Sequence, residues 1–143
     1  MAQQRKNPYP RNNFSIVADY LEEIALLLAN ERGLFPITEE NGGYQDIPIT
    51  NKVAQSLSVP EKAVSASIFI EADAATTKKE NIIRIKENGA SPTTESGQLW
   101  GHKEKFHPAG KPLLEKLRFI GIQNDRTHYL RVQYYATGQD TVG

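Results

Sequence analysis

Three histidines offer the readiest chemistry in this chain: His102, His107 and His128. His102 and His107 stand close together in a loop flanked by Gly101, Pro108 and Gly110, with Glu104 between them. A zinc or catalytic metal centre needs several ligands converging at set spacings. No carboxylate takes such a spacing here, so no metal site is expected. His128 opens a strand and is expected to border a turn, although an imidazole there is also sensitive to pH. A serine nucleophile needs a positioned base and an oxyanion hole. Ser56, Ser58, Ser91 and Ser96 lack the G-x-S-x-G context that supplies both on an elbow. Asn41-Gly42-Gly43 is not followed by the Lys-Ser/Thr of a phosphate loop. The carboxylates are scattered, with no pair set by spacing for acid–base work. No catalytic residue, cofactor site or metal site is expected, and the chain is read as a non-enzyme.

Composition narrows the partners. The chain has 143 residues, with 17 Lys+Arg balancing 17 Asp+Glu. That balance gives no broad pull toward nucleic acid or an anionic membrane. The weak basic–aromatic run Lys103, Lys105, Phe106, Lys111 and Arg118 is diluted by Glu104 and Glu115, so no nucleic-acid partner is expected. There is no cysteine, which removes disulfides, thiol catalysis and cysteine-bearing zinc modules. The run 24–29 is far short of the roughly 20 apolar residues of a membrane span. Met1–Pro10 has Arg5 and Lys6 but no apolar stretch after them, as a signal peptide requires. The expected product is therefore one made and used in the cytoplasm, or one assembled there into something larger.

The elements that would position any site read as five segments. Residues 1–13 form a polar arm whose Gln, Asn, Arg, Lys and Pro content cannot build a core. Residues 14–32 read as a helix, with Asn13 as N-cap, Gly33 at the C-terminal cap and Pro36 beyond. Phe14, Val17, Leu21, Ile24 and Leu28 recur at alternating steps of three and four and make one apolar seam. Ile16, Tyr20 and Leu27 widen it, so the helix needs burial over most of its circumference. A small β domain covers one side, and the rest calls for another copy or a different protein. Packing into the core of its own domain is the alternative. Residues 33–62 form a connector: 44–50 (YQDIPIT) reads as a short edge strand because of Pro48, and 51–59 as a second strand with Val53, Leu57 and Val59.

Residues 63–136 carry the clearest period-two alternation, with bounding Gly, Pro, Asn and Asp clusters. Strand patterns fall on 66–71, 82–86, 117–122 and 130–135. Leu130, Val132 and Tyr134 form the core face of the last, opposite Arg131, Gln133 and Tyr135. Asn88-Gly89 and Asn124-Asp125 read as connections of an antiparallel arrangement. Gly97 and Gly101 are expected to let Leu99 and Trp100 bend over the sheet end. Residues 137–143 are a polar tail. The fold class is mainly β: a small antiparallel β-sandwich or barrel, with no helices between its strands, preceded by one N-terminal α-helix. Trp100, Tyr134 and Tyr135 are the candidate aromatic platform for a ligand such as a sugar.

The pieces ASIFIEADA (66–74), IIRIKENGASPTTESGQLWG (82–101), LEKLRFIGI (114–122) and HYLRVQYY (128–135) follow one another in an ordered set. In that order they resemble a small β module found among structural proteins of tailed bacteriophage virions. The resemblance covers roughly half the chain and leaves out the helix and connector. A looser similarity runs to immunoglobulin-like modules of carbohydrate enzymes, through the N-G-x-x-P-T turn. The phage resemblance implies a virion protein made in the host cytoplasm. Its partners would be major capsid or tail subunits and further copies of itself, as head decoration or the base of a head fibre, with a tail or neck component second. A carbohydrate-binding module is the competing class.

Overall fold

The computed structural model describes residues 33–138 and, ahead of them, Leu21. The chain divides into two units, Met1–Gly33 and Leu34–Gly143. The helix expected over 14–32 lies outside the described residues except for helical Leu21, and so do the arm and the last five tail positions, 139–143.

The second unit is mainly β, with two antiparallel sheets in a sandwich-like arrangement. Its strands are β1 Leu34–Pro36, β2 Tyr44–Ile49, β3 Gln55–Ser56, β4 Ser65–Glu71, β5 Ile83–Lys86, β6 Gln98–Trp100, β7 Lys105–Phe106, β8 Arg118–Gly121 and β9 His128–Thr137. One sheet runs β1-β9-β4-β7, with β2 also on β9, and the other runs β3-β8-β5-β6. The long β9 is the centre of the first sheet. On one side it pairs with β4 from Ser65↔Tyr135 to Glu71↔Tyr129. On the other, β2 and β1 lie end to end along it, from Ile49↔His128 to Leu34↔Thr137.

Alternation explains why these segments are strands. In β4, Ala66, Ile68 and Ile70 turn inward; in β9, Leu130, Val132, Tyr134 and Ala136 do so. Ile83 and Ile85 of β5 and Phe119 of β8 meet them from the other sheet in one core cluster. Each large aliphatic side chain so buried contributes roughly 1.5–3 kcal/mol. Pro48 sits in an edge strand, as its missing N–H requires. The carbonyl of Gly43 accepts the Tyr134 N–H, so the bonded pairs fall at residues 45, 47 and 49. The Pro48 nitrogen then faces the open edge, where it removes a donor from a surface prone to unwanted pairing.

Between β1 and β2 the chain leaves the sheet and returns. The Ile37 N–H donates to the Tyr134 carbonyl, and the Tyr134 N–H donates to that of Gly43, so both ends of the excursion meet one residue. A 3-10 turn, Glu39–Asn41, fills it, and Gly42 closes it at φ 78. The Gln133 amide nitrogen lies 3.1 Å from the Ile37 carbonyl and 3.0 Å from that of Gly43.

Several expectations need correction. A helix, α1 Lys111–Lys116, does stand between β7 and β8. Pro112 fits its first turn, and Leu114 is fully buried. Among the described residues the stretch 51–59 pairs only at Gln55–Ser56, and Val53 is 62% exposed. Leu99 and Trp100 do not arch over the sheet end. They belong to β6, which pairs with β5 as an edge strand. The β5–β6 loop is pinned instead by Arg84, whose guanidinium donates to the carbonyls of Thr94 (3.1 Å) and Gly97 (2.6 Å). Asn124-Asp125 connects two strands, as expected, and the connection is a crossover from β8 in one sheet to β9 in the other.

Candidate functional site

Of the apolar seam, Phe14, Val17, Ile24 and Leu28 lie outside the described residues, and Leu21 is 62% exposed. The aromatic platform is not assembled. Tyr134 is fully buried, its hydroxyl donating to the Gln45 side-chain oxygen. Burial pushes its phenol well above the usual tyrosine range. A side chain on the inward face cannot stack on a ligand, so Tyr134 leaves the platform. Trp100 is half-buried on β6 and packs on Phe106, ring centroids 4.7 Å apart. Tyr135 lies on the other sheet, on the outward face of β9.

That outward face gathers what the alternation turns away from the core. Register places Asp46, Arg131 and Phe69 in one row across β2, β9 and β4, and Pro48, Tyr129 and Glu71 in the next. Tyr44 and Tyr135 share the face. Arg131 is the hub. Its guanidinium reaches Asp46 at 3.1 Å and Glu71 at 2.9 Å, and its charge lies 4.7 Å from the Tyr129 ring centre. Lys105 stands 5.9 Å from the ring centre of Phe69. The hydrogen bond from Arg131 holds the Glu71 carboxyl below the usual carboxylate range, and the same bond raises Arg131 further. Partial burial, then the neighbouring Asp46, raises Tyr44. Tyrosine, arginine and phenylalanine in one patch match the composition of protein contact surfaces.

Substituting the hub separates its electrostatic role from its packing. In Arg131→Met the Glu71 carboxyl is expected to titrate higher, toward the ordinary carboxylate range. A side-chain NMR titration checks this, and an unmoved Glu71 would show that other groups hold its charge.

The sandwich end beyond β4 holds His102 and His128, whereas His107 follows β7 and lies back along β4, away from that end. His128 opens β9 after the turn at 124–125, as expected, but it is not a surface residue: it is 1% exposed, in step with the inward residues of the strand. Its Nδ1 accepts the Asp73 N–H at 2.9 Å, and its Nε2 has no hydrogen-bond partner among the described residues. His102 Nδ1 accepts the Ala72 N–H at 3.0 Å. Burial lowers both imidazoles from the usual histidine range. An open cavity of about 380 Å³ beside His102 is lined also by Lys79, Glu80 and Glu104. Among the described residues no cluster of three or more His, Asp or Glu side chains is placed to hold a metal ion, and no helix is long and apolar enough to cross a membrane.

Sequence reasoning missed Arg131, Asp46, Glu71 and Tyr129 as a group. Only the outward parity of Arg131 and Tyr135 was readable. Set beside known protein families, curated proteins and solved structures, the chain matches none of them.

Proposed function

We propose that this chain is a non-enzymatic structural protein of a tailed-bacteriophage virion, attached to capsid or tail neighbours through its N-terminal arm and helix. Head decoration or the base of a head fibre is the first role, and a tail or neck component the second. One observation carries the reading: the chain divides at Gly33. The arm and the seam Phe14, Val17, Leu21, Ile24 and Leu28 fall on one side. On the other lies a sandwich whose core cluster draws on residues between Ile37 and Ala136. An anchor followed by a rigid β plug has that layout. Repeated at symmetric sites on a particle, a weak single contact suffices, because each further copy binds beside neighbours already held. The ordered resemblance over 66–135 adds the phage context.

An antibody against the sandwich, imaged by negative stain on the parent particle, tests the assignment. Regular labelling of the head is expected. Labelling of the tail or neck selects the second role, and unlabelled particles overturn the virion reading.

A carbohydrate-binding module is the second reading, favoured by the tyrosines on the outward sheet face. Aromatic rings beside fixed carboxylates and an arginine can stack on and hydrogen-bond to a sugar. Glycan-array binding that is lost in Tyr135→Ala and Tyr129→Ala, with folding intact, would favour it over the structural role.

A further inference from the structure

Besides the passage from β2 to β3, the end of the sandwich beyond β4 joins three crossovers between the sheets. The chain passes from β4 to β5, from β6 to β7 and from β8 to β9 there, each time changing sheet. The first crossover is tied to the other two through imidazoles. Consecutive backbone donors at its start, Ala72 N–H and Asp73 N–H, are given to His102 Nδ1 of the second crossover and His128 Nδ1 at the end of the third. The Asp73 carboxylate continues the tie, accepting the N–H of Thr127 at 2.9 Å and of Ala75 at 2.8 Å.

We propose that this arrangement is an acid-sensitive clasp: when the two imidazoles take up protons, their Nδ1 atoms change from acceptors to donors, and the crossover after β4 is released while the sheets persist. An imidazolium offers two N–H groups and no lone pair. Protonated Nδ1 would then face a backbone N–H, donor against donor, at both His102 and His128. At His128 the cation gains no compensation from its other nitrogen, since the buried Nε2 has no hydrogen-bond partner among the described residues.

The charged surroundings do not rescue it. Asp73 and Arg126 face His128 with opposite signs, and His102 adds to the positive side. Lys79 and Lys103 face His102, opposed by Glu71. Asp73 and Glu71 are themselves committed, to backbone N–H groups and to Arg131 respectively. Both imidazoles are lowered from 6.5 by burial. The closed form therefore binds fewer protons than the open one. Closure is fully favoured above that value and is lost progressively as pH falls below it. Asp73 and Glu71, both lowered as carboxylates, keep their bonds until more acid conditions. The imidazole ties therefore yield first.

Hydrogen exchange on the full-length chain, from about pH 8 to about pH 5, reads the clasp directly. Protection factors at Ala72 and Asp73 are expected to fall relative to those at Leu130 and Val132. The fall is up to about tenfold per pH unit for each proton taken up. In His102→Asn, whose amide oxygen can still accept, the dependence at Ala72 weakens while that at Asp73 persists. In the double variant with His128→Asn it disappears at both. Should the double variant fail to fold, the unaltered chain and His102→Asn decide the matter. Protection that stays constant with pH, or that falls only in step with Leu130 and Val132, would overturn the proposal.

Discussion

Gly43→Ala is expected to destabilise the sandwich by about 3 kcal/mol or more. The residue is not needed for an unusual φ but for space. A Cβ there would lie 1.8 Å from the Ile37 carbonyl oxygen and 2.3 Å from its carbon, both backbone atoms that no rotamer can move. The two strand ends would have to part. That parting loses the bonds from Gly43 N–H to Thr38, from Tyr134 N–H to Gly43 and from Ile37 N–H to Tyr134, each worth about 1 kcal/mol. The damage falls on β9, which carries the first sheet. Gly110→Ala is the contrast. Its φ of 97 makes a side chain strained, but among the described residues nothing lies within 4 Å of the new Cβ, so the cost is about 1 kcal/mol. Urea unfolding of both variants checks the pair. Equal midpoints would show that the excursion between β1 and β2 can open freely.

Phe119→Ala is expected to cost about 3–5 kcal/mol. Phe119 is fully buried on β8, and its ring stands 6.5 Å from that of Phe106 on β7, across the two sheets. Phe106 in turn packs on Trp100 of β6. The three rings join one sheet to the other and back. Truncating Phe119 leaves a cavity beside that pair, and β7 has only two residues in its ladder. Trp100 is the single tryptophan, so its emission should shift to the red in the folded variant as its packing loosens. Leu99→Ala, on the 42% exposed neighbour, should move stability by under about 1 kcal/mol. A Phe119→Ala chain that is equally stable would mean the sheets are held elsewhere.

These sites differ in how far the sequence reveals them. β4, β5 and β9 are legible because period-two alternation is long enough to be seen. β6 and β7 have three and two residues, too few to show any period. α1 has six residues, fewer than two turns, so its pattern merges with the strand after it. Tyr134 carries two signals, a core parity and an aromatic side chain suited to stacking. Parity decides, because Leu130 and Val132 on the same face are buried. One more step of that parity, back from Leu130, reaches His128. Its burial was legible in principle, but a polar residue at a strand start reads as a turn neighbour. The Asp46–Arg131–Glu71 group could not be read at all. Its members come from three distant strands and meet only through the register of β2 and β4 on β9. The same holds for the imidazole ties, whose partners are backbone N–H groups and leave no trace in residue type.

The proposed function requires that the apolar seam ahead of Gly33 complete its burial on another molecule. Light scattering of the full chain beside a version lacking residues 1–32 tests it most directly, with retention on particles read from the same two samples. The expected mass of the full chain is two or more times 16.0 kDa, while the shortened chain has a single-chain mass and is not retained. A full chain that is a 16.0 kDa monomer, and that particles retain no better than the shortened form, would contradict it.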